Sequence, residues 1–361
     1  MACMNTFTTS SPTTPASRRE NLLTSLFATW LIAGVFVDGW AHNNLSEFET
    51  FWTPWHGLFY SGFAATAGWI VWIVRGRLLA GGSLADSIPV GYRSSIAGLG
   101  IFAAGGIGDA IWHSVLGVET DVDALFSPTH ILLFTGVMLI VTGPIRSMSA
   151  RFPSRRVPKG EFLPAGISVT LSLLMVVFFT MYSWAPTSGV YQARFIPNVI
   201  GWFEAVFGVL LILVTTITVS SAVLWLSSRW RVPFGTFTAM LTSIGILMSG
   251  MLDEFAEPWE VLPAATAGLA ADLLIRAFDP QPARMTSWMC FGAAVPLVMW
   301  TAHFALFAVF RDLGWTAELW GGVPVLGAMT GALLAYLIGF APPPADAVDG
   351  DPKEALATSY R

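Results

Sequence analysis

Charge is scarce in this chain. Only 11% of its 361 residues are Asp, Glu, Lys or Arg, where a soluble domain carries about 25%. That deficit excludes a water-facing surface over most of the molecule. Cysteine is scarcer still: Cys3 and Cys290 alone. Both map to the cytoplasmic side of the predicted topology, so no disulfide is expected. No basic stripe and no nucleic-acid motif occurs, which excludes a nucleic-acid partner. His-Glu-x-x-His is absent, which removes the commonest membrane metalloprotease pattern.

What is present is apolar: 54% of the residues are hydrophobic. Ten stretches approach the roughly 20 residues that a bilayer crossing demands. They are 22–42, 54–74, 91–115, 128–145, 164–184, 197–227, 233–253, 263–279, 287–310 and 321–341. The expected fold is therefore all-α, a polytopic membrane protein of about ten helices. Alternating the loops from an inside N-terminus leaves only Arg194 and Arg311, of eighteen Lys and Arg, on the outer side. The positive-inside bias then predicts both termini cytoplasmic, and the expected location is the cell (inner or plasma) membrane. The outer loops are acidic, with Glu47, Glu49, Glu119, Asp121, Asp123, Glu257 and Glu260. Ser17-Arg18-Arg19 reads as a positive-inside anchor rather than a twin-arginine signal, because no small-residue cleavage site follows.

The chain divides into a disordered tail (1–21), a four-helix half (22–145), a basic cytoplasmic loop (146–163), a six-helix half (164–341) and a second disordered tail (342–361). The helices pair into five outward-facing hairpins. Pro54, Pro128, Pro197 and Pro263 lie near the starts of returning helices, and Pro324 slightly further in. Proline suits a first helical turn, where its missing N–H would be unpaired anyway. Thr53 and Ser127 precede it as N-caps. The stretches at 127–139 and 323–334 look like distant copies of one unit, so the hairpins read as internal repeats.

Four of the five histidines fall in a duplicated pattern. Asp38 and His42 are four residues apart and are followed by Thr53-Pro54-Trp55-His56. Asp109 and His113 repeat that spacing and are followed by Ser127-Pro128-Thr129-His130, with the two Asp 71 residues apart. A four-residue spacing puts Asp and His on one helix face. The third His sits at about the third position of the returning helix, so each hairpin gathers three ligands at its outer end. The helix start favours neutral imidazole, and an Asp near a helix C-terminus gains from a neighbouring cation. Ionisable groups within spans cost about 2.5–3.5 kcal/mol each on insertion scales. Two matching sets therefore favour metal over a loop cap or a local hydrogen bond. Two imidazoles and a carboxylate suit copper, zinc or non-haem iron. A bis-histidine haem needs no carboxylate.

This motif pair resembles the C subunit of the copper membrane monooxygenases, which act on methane, ammonia or hydrocarbons. In that subunit an acid or amide, a His four later and a His in a Pro-x-His helix start form tandem copper-binding sets. The resemblance covers about residues 30–145. It implies that Asp38, His42 and His56, and Asp109, His113 and His130, are copper ligands, one set being the oxygen-activating centre. It also implies partner membrane subunits and an electron donor. Both sets here begin with Asp, where the family's second set often begins with an amide, and residues 164–341 have no counterpart.

Glu204, Asp253, Glu254 and His303 are expected at the same depth and could extend a polar cavity, or serve as loop caps and a core His. Asp272 and Arg276 read as a local ion pair. Trp40, Trp55 and Trp112 are candidates to wall an apolar pocket. Three functions fit: a copper-dependent monooxygenase-like enzyme, a metal acquisition or delivery protein, and a transporter using the sites for ions or protons. A transporter calls for ionisable groups near mid-membrane, whereas these cluster at the outer ends.

Overall fold

The first helix shows how local signals place the elements. Ser17 accepts from the Glu20 backbone N–H at 3.2 Å, and the Glu20 carboxylate accepts from the Ser17 N–H at 2.6 Å. This reciprocal capping box starts α1 at Arg18 (Arg18–Asn44). Residues 18–21, expected in the tail, are thus helical. In this computed structural model the described residues are 14–45, 51–117, 122–193 and 201–340. Both tails beyond them, the outer-loop residues Glu47, Glu49, Glu119, Asp121 and Arg194, and also Cys3 and Pro197, lie outside the described residues.

The remaining long helices are α2 (Pro54–Leu79), α3 (Arg93–Leu116), α4 (Pro128–Arg151), α5 (Lys159–Phe179), α6 (Gly201–Arg229), α7 (Thr236–Asp253), α8 (Leu262–Phe278), α9 (Met285–Phe310) and α10 (Ala317–Phe340). Ten helices among the described residues are long and apolar enough to cross a membrane, and no strand occurs among those residues. Large apolar side chains face outward, among them Ile107, Val115, Trp72 and Met329. Such a surface is stable in lipid rather than water. The chain is an all-α, multi-pass membrane protein.

Helix α4 is interrupted at Thr142, where Pro144 cannot continue the hydrogen-bond ladder, and it resumes as Gly143–Arg151. The basic stretch expected as a loop over 146–163 is mostly helical. Only 152–158 connects α4 to α5, bounded near each end by Pro153 and Pro158. Helices α1/α2, α3/α4, α7/α8 and α9/α10 pack as hairpins. The α5/α6 pair differs. Its connection contains three short 3-10 turns between Met181 and Gln192, and α5 packs mainly on α1 and α4 while α6 packs on α10.

Small residues set the hairpin spacing at the motif end. A Cβ at Gly62 would lie 2.6 Å from the Leu31 backbone, and one at Gly136 would lie 2.7 Å from the Phe102 backbone. These glycines let α1 and α2, and α3 and α4, approach backbone to backbone. Asp272 does not form the expected ion pair with Arg276. It is buried, and it accepts from the backbone N–H groups of Phe237 and Thr238 and from the Thr238 hydroxyl. Gly235, before α7, has no side chain to cap that helix, so the carboxylate of α8 does so from outside. Arg311, one of the two exceptions to the charge bias, lies 3.2 Å from Glu257 and 3.9 Å from the buried Glu260.

Candidate metal centre

The (Ser/Thr)-Pro-x-His pattern is a helix cap joined to a ligand. Thr53 caps α2 by accepting from the His56 backbone N–H at 3.2 Å, and Ser127 caps α4 through the His130 N–H at 3.4 Å. The cap satisfies an N–H that the helix cannot. It also fixes the third residue of the helix, which is the His in both hairpins. Across from it, Asp38 and His42 end α1, and Asp109 and His113 end α3.

Each hairpin brings its three residues together, with one ligand atom from each within 4.8 Å of the others. In the first set, Asp38 Oδ2 lies 3.8 Å from His42 Nε2 and 3.7 Å from His56 Nε2. Both separations exceed a hydrogen bond. Two ligand atoms on one tetrahedral ion sit about 3.3 Å apart, so the spacing approaches that of donors around a shared cation. The buried Oδ1 of Asp38 has no hydrogen-bond partner. In the second set, Asp109 Oδ1 lies 3.1 Å from His130 Nε2 and 3.4 Å from His113 Nε2, and it accepts from the Thr129 hydroxyl at 3.0 Å.

Backbone carbonyls select the imidazole tautomer. His56 Nδ1 lies 2.7 Å from the Phe51 carbonyl, and His113 Nδ1 lies 3.3 Å from the Gly117 carbonyl. A carbonyl only accepts, so each Nδ1 carries the proton. In the neutral ring, Nε2 then offers its lone pair toward the Asp. Asp38 and Asp109 place two carboxylates in an apolar setting. Such charges are stable only when compensated, and the donor set fits divalent copper, zinc or iron.

The two sets are neighbours. The His56 and His113 rings are 6.2 Å apart, centroid to centroid. Phe51 stacks on His56 at 4.9 Å and lies 6.1 Å from His113. Asp38, His42, His56, Asp109 and His130 all line one cavity of about 100 Å³. An engineered cavity of about 150 Å³ elsewhere admits benzene, so this one suits a molecule of only a few heavy atoms. Apart from Asn43, its remaining wall is aromatic and aliphatic, including Phe59, Phe102 and Leu133. Helix α5 and the turn after it close the far side with Met175, Phe178 and Met181. Gly39 permits this closure, because a Cβ there would lie 2.5 Å from the Phe178 ring. The site therefore draws on both sides of the 146–163 boundary.

Other candidates lie elsewhere. Trp40, Trp55 and Trp112 do not line the cavity, whose wall is built of Phe, Leu and Met instead. Trp40 packs edge-on against Trp55 and donates to Glu254 at 3.2 Å. Glu204, Asp253, Glu254 and His303 are also absent from the lining. Asp253 accepts from Ser249, and His303 is fully buried among Tyr191, Trp259, Trp300, Phe304 and Phe307. Sequence reasoning missed Thr129, Phe51 and the α5 wall. Thr129 was within the motif, but its hydroxyl contact depends on how α4 packs on α3.

No protein-family model, no curated protein and no solved structure matches the chain.

Proposed function

We propose that the protein is a membrane metalloenzyme whose paired Asp/His/His sets hold two metal ions, copper being the one, among the metals the donor set fits, that the monooxygenase resemblance favours. The observation that carries this reading is the convergence of two ligand sets on one small apolar cavity. Copper bound there would supply the one-electron chemistry that dioxygen reduction requires. The reaction proposed is hydroxylation of a small apolar substrate. One oxygen atom of dioxygen enters a C–H bond and the other leaves as water, with two electrons and two protons from an external donor. Asp38 and Asp109 balance the charge of the bound ions, the carbonyls of Phe51 and Gly117 orient His56 and His113, and the Phe and Leu wall excludes water.

On this reading the protein resides in the plasma membrane with cytoplasmic termini, and partner membrane subunits or a separate donor deliver the electrons. A second reading, metal acquisition or delivery, is favoured by one observation. Asp38 and His42 retain 17% and 20% side-chain exposure, so the first set is open to ion exchange. The test is metal analysis of the detergent-purified protein, followed by oxygen uptake with short alkanes and a chemical reductant. Two copper ions per chain with substrate-dependent uptake support the enzyme. Bound copper without uptake supports the carrier, and failure to bind any of copper, zinc or iron rejects both.

A further inference from the structure

A groove of about 670 Å³ runs between α1, α5 and α7 and is separate from the metal cavity. It follows α5 from Lys159 to Leu174, about 22 Å at about 1.5 Å per residue. One leaflet of a hydrocarbon core about 30 Å thick is shorter than that. Small residues pave the floor: Gly166, Thr170, Ala239 and Ser243. Their hydroxyls are already committed within the helices. Thr170 donates to the Gly166 carbonyl at 2.9 Å and Ser243 to the Ala239 carbonyl at 2.6 Å, while Thr29 on α1 donates to the Ser25 carbonyl at 2.8 Å. The groove consequently offers hydrocarbon surface despite its polar residues. Its rim is apolar and exposed at Leu26, Leu163 and Phe234.

One end of the groove is cationic. Lys159 lines it and makes no hydrogen bond or ion pair. Arg18 spends only its Nε, on the Gly160 carbonyl at 2.7 Å. Arg19, two turns from Leu26 on α1, is exposed. The nearby acids are occupied elsewhere. Glu20 pairs with Arg77 at 3.1 Å, and Glu161 pairs with Arg151 at 3.1 Å. Three cations thus stand uncompensated where an acyl-sized apolar channel ends.

We propose that this groove binds an anionic phospholipid, with one acyl chain along α5 and the phosphate group held by Arg18, Arg19 and Lys159. A zwitterionic lipid would satisfy the channel but carries a second cation toward the basic mouth. A helix from another protein would fill the channel but leave the three charges uncompensated unless it were acidic there. Clusters of basic residues beside an apolar surface select anionic headgroups for this reason.

The test uses the full-length protein in detergent with added phosphatidylglycerol or phosphatidylcholine, read by native mass spectrometry. The wild type should retain phosphatidylglycerol preferentially. The Arg19→Gln/Lys159→Gln variant should lose that preference by about fivefold for each cation removed. Ala239→Phe, which fills the floor without touching the charges, should reduce retention of both lipids. An unchanged elution profile on size exclusion and an unchanged helical circular-dichroism spectrum in each variant certify folding, and the candidate metal cavity shares no lining residue with this groove. Equal retention of the two lipids by the wild type would overturn the proposal. So would a preference that survives neutralisation, or a co-purifying polypeptide lost in Ala239→Phe while lipid retention stays constant.

Discussion

The two Asp/His/His sets come from the same local pattern and are not equally finished. Asp109 is 1% exposed, holds its two His at 3.1 and 3.4 Å and accepts from Thr129. Asp38 is 17% exposed, stands 3.7 and 3.8 Å from its two His and leaves a buried oxygen without a hydrogen-bond partner. The position of Thr129 is occupied in the first hairpin by Trp55, which packs on Trp40 instead of reaching the carboxylate. One substitution in a repeated motif thus separates a preorganised, buried set from a looser, more accessible one. If the sets hold ions as proposed, the second is the more rigid holder and the first has the room to exchange one.

The largest expected effect is loss of metal. His42→Ala should remove the ion of the first set only, and His113→Ala that of the second only, by elemental analysis of purified protein. Loss of both ions from either single variant would merge the sets into one coupled centre and end the contrast. Next comes Thr129→Val, which keeps the shape but deletes the hydroxyl that orients Asp109. It should weaken metal binding at the second set about 10–100-fold in a competition titration and leave the first set unchanged. An unchanged second set would mean that Thr129 is packing, not support.

A third experiment sharpens the difference in burial. In metal-free protein, Asp109→Ala should cost about 1–3 kcal/mol, because the Thr129 hydroxyl loses its carboxylate acceptor in a buried site. Asp38→Ala should cost less, since Asp38 makes no hydrogen bond to its two His. Equal shifts in thermal unfolding would contradict the asymmetry. The smallest effect belongs to what the hairpins share. Thr53→Ala and Ser127→Ala each remove an N-cap and should each cost about 1 kcal/mol. Unequal costs would show that the caps, too, have diverged.

Much of this was legible along the chain. The ten spans emerge from apolar runs of bilayer length, and their observed bounds shift by only a few residues. The Thr53 and Ser127 caps were readable because capping is a contact over three residues. The start of α1 was misjudged because the charges of Arg18, Arg19 and Glu20 resemble a polar tail, although Ser17 and Glu20 form a capping box. The role of Asp272 was misjudged for the opposite reason. Its neighbour four residues on is Arg276, but its actual partners are on α7.

The sequence by itself determined which side chains could ligate a metal and at which helix ends they sit. Helical periodicity, proline and N-caps act over a few residues, so their effects can be counted along the chain. Only the tertiary structure decided that the two sets share a cavity, that α5 closes it, and that Thr129 serves Asp109. Those facts depend on how closely helices pack: on Gly62 meeting Leu31, Gly136 meeting Phe102 and Gly39 making room for Phe178. Such contacts join residues far apart in sequence, and close packing rather than any local pattern selects them.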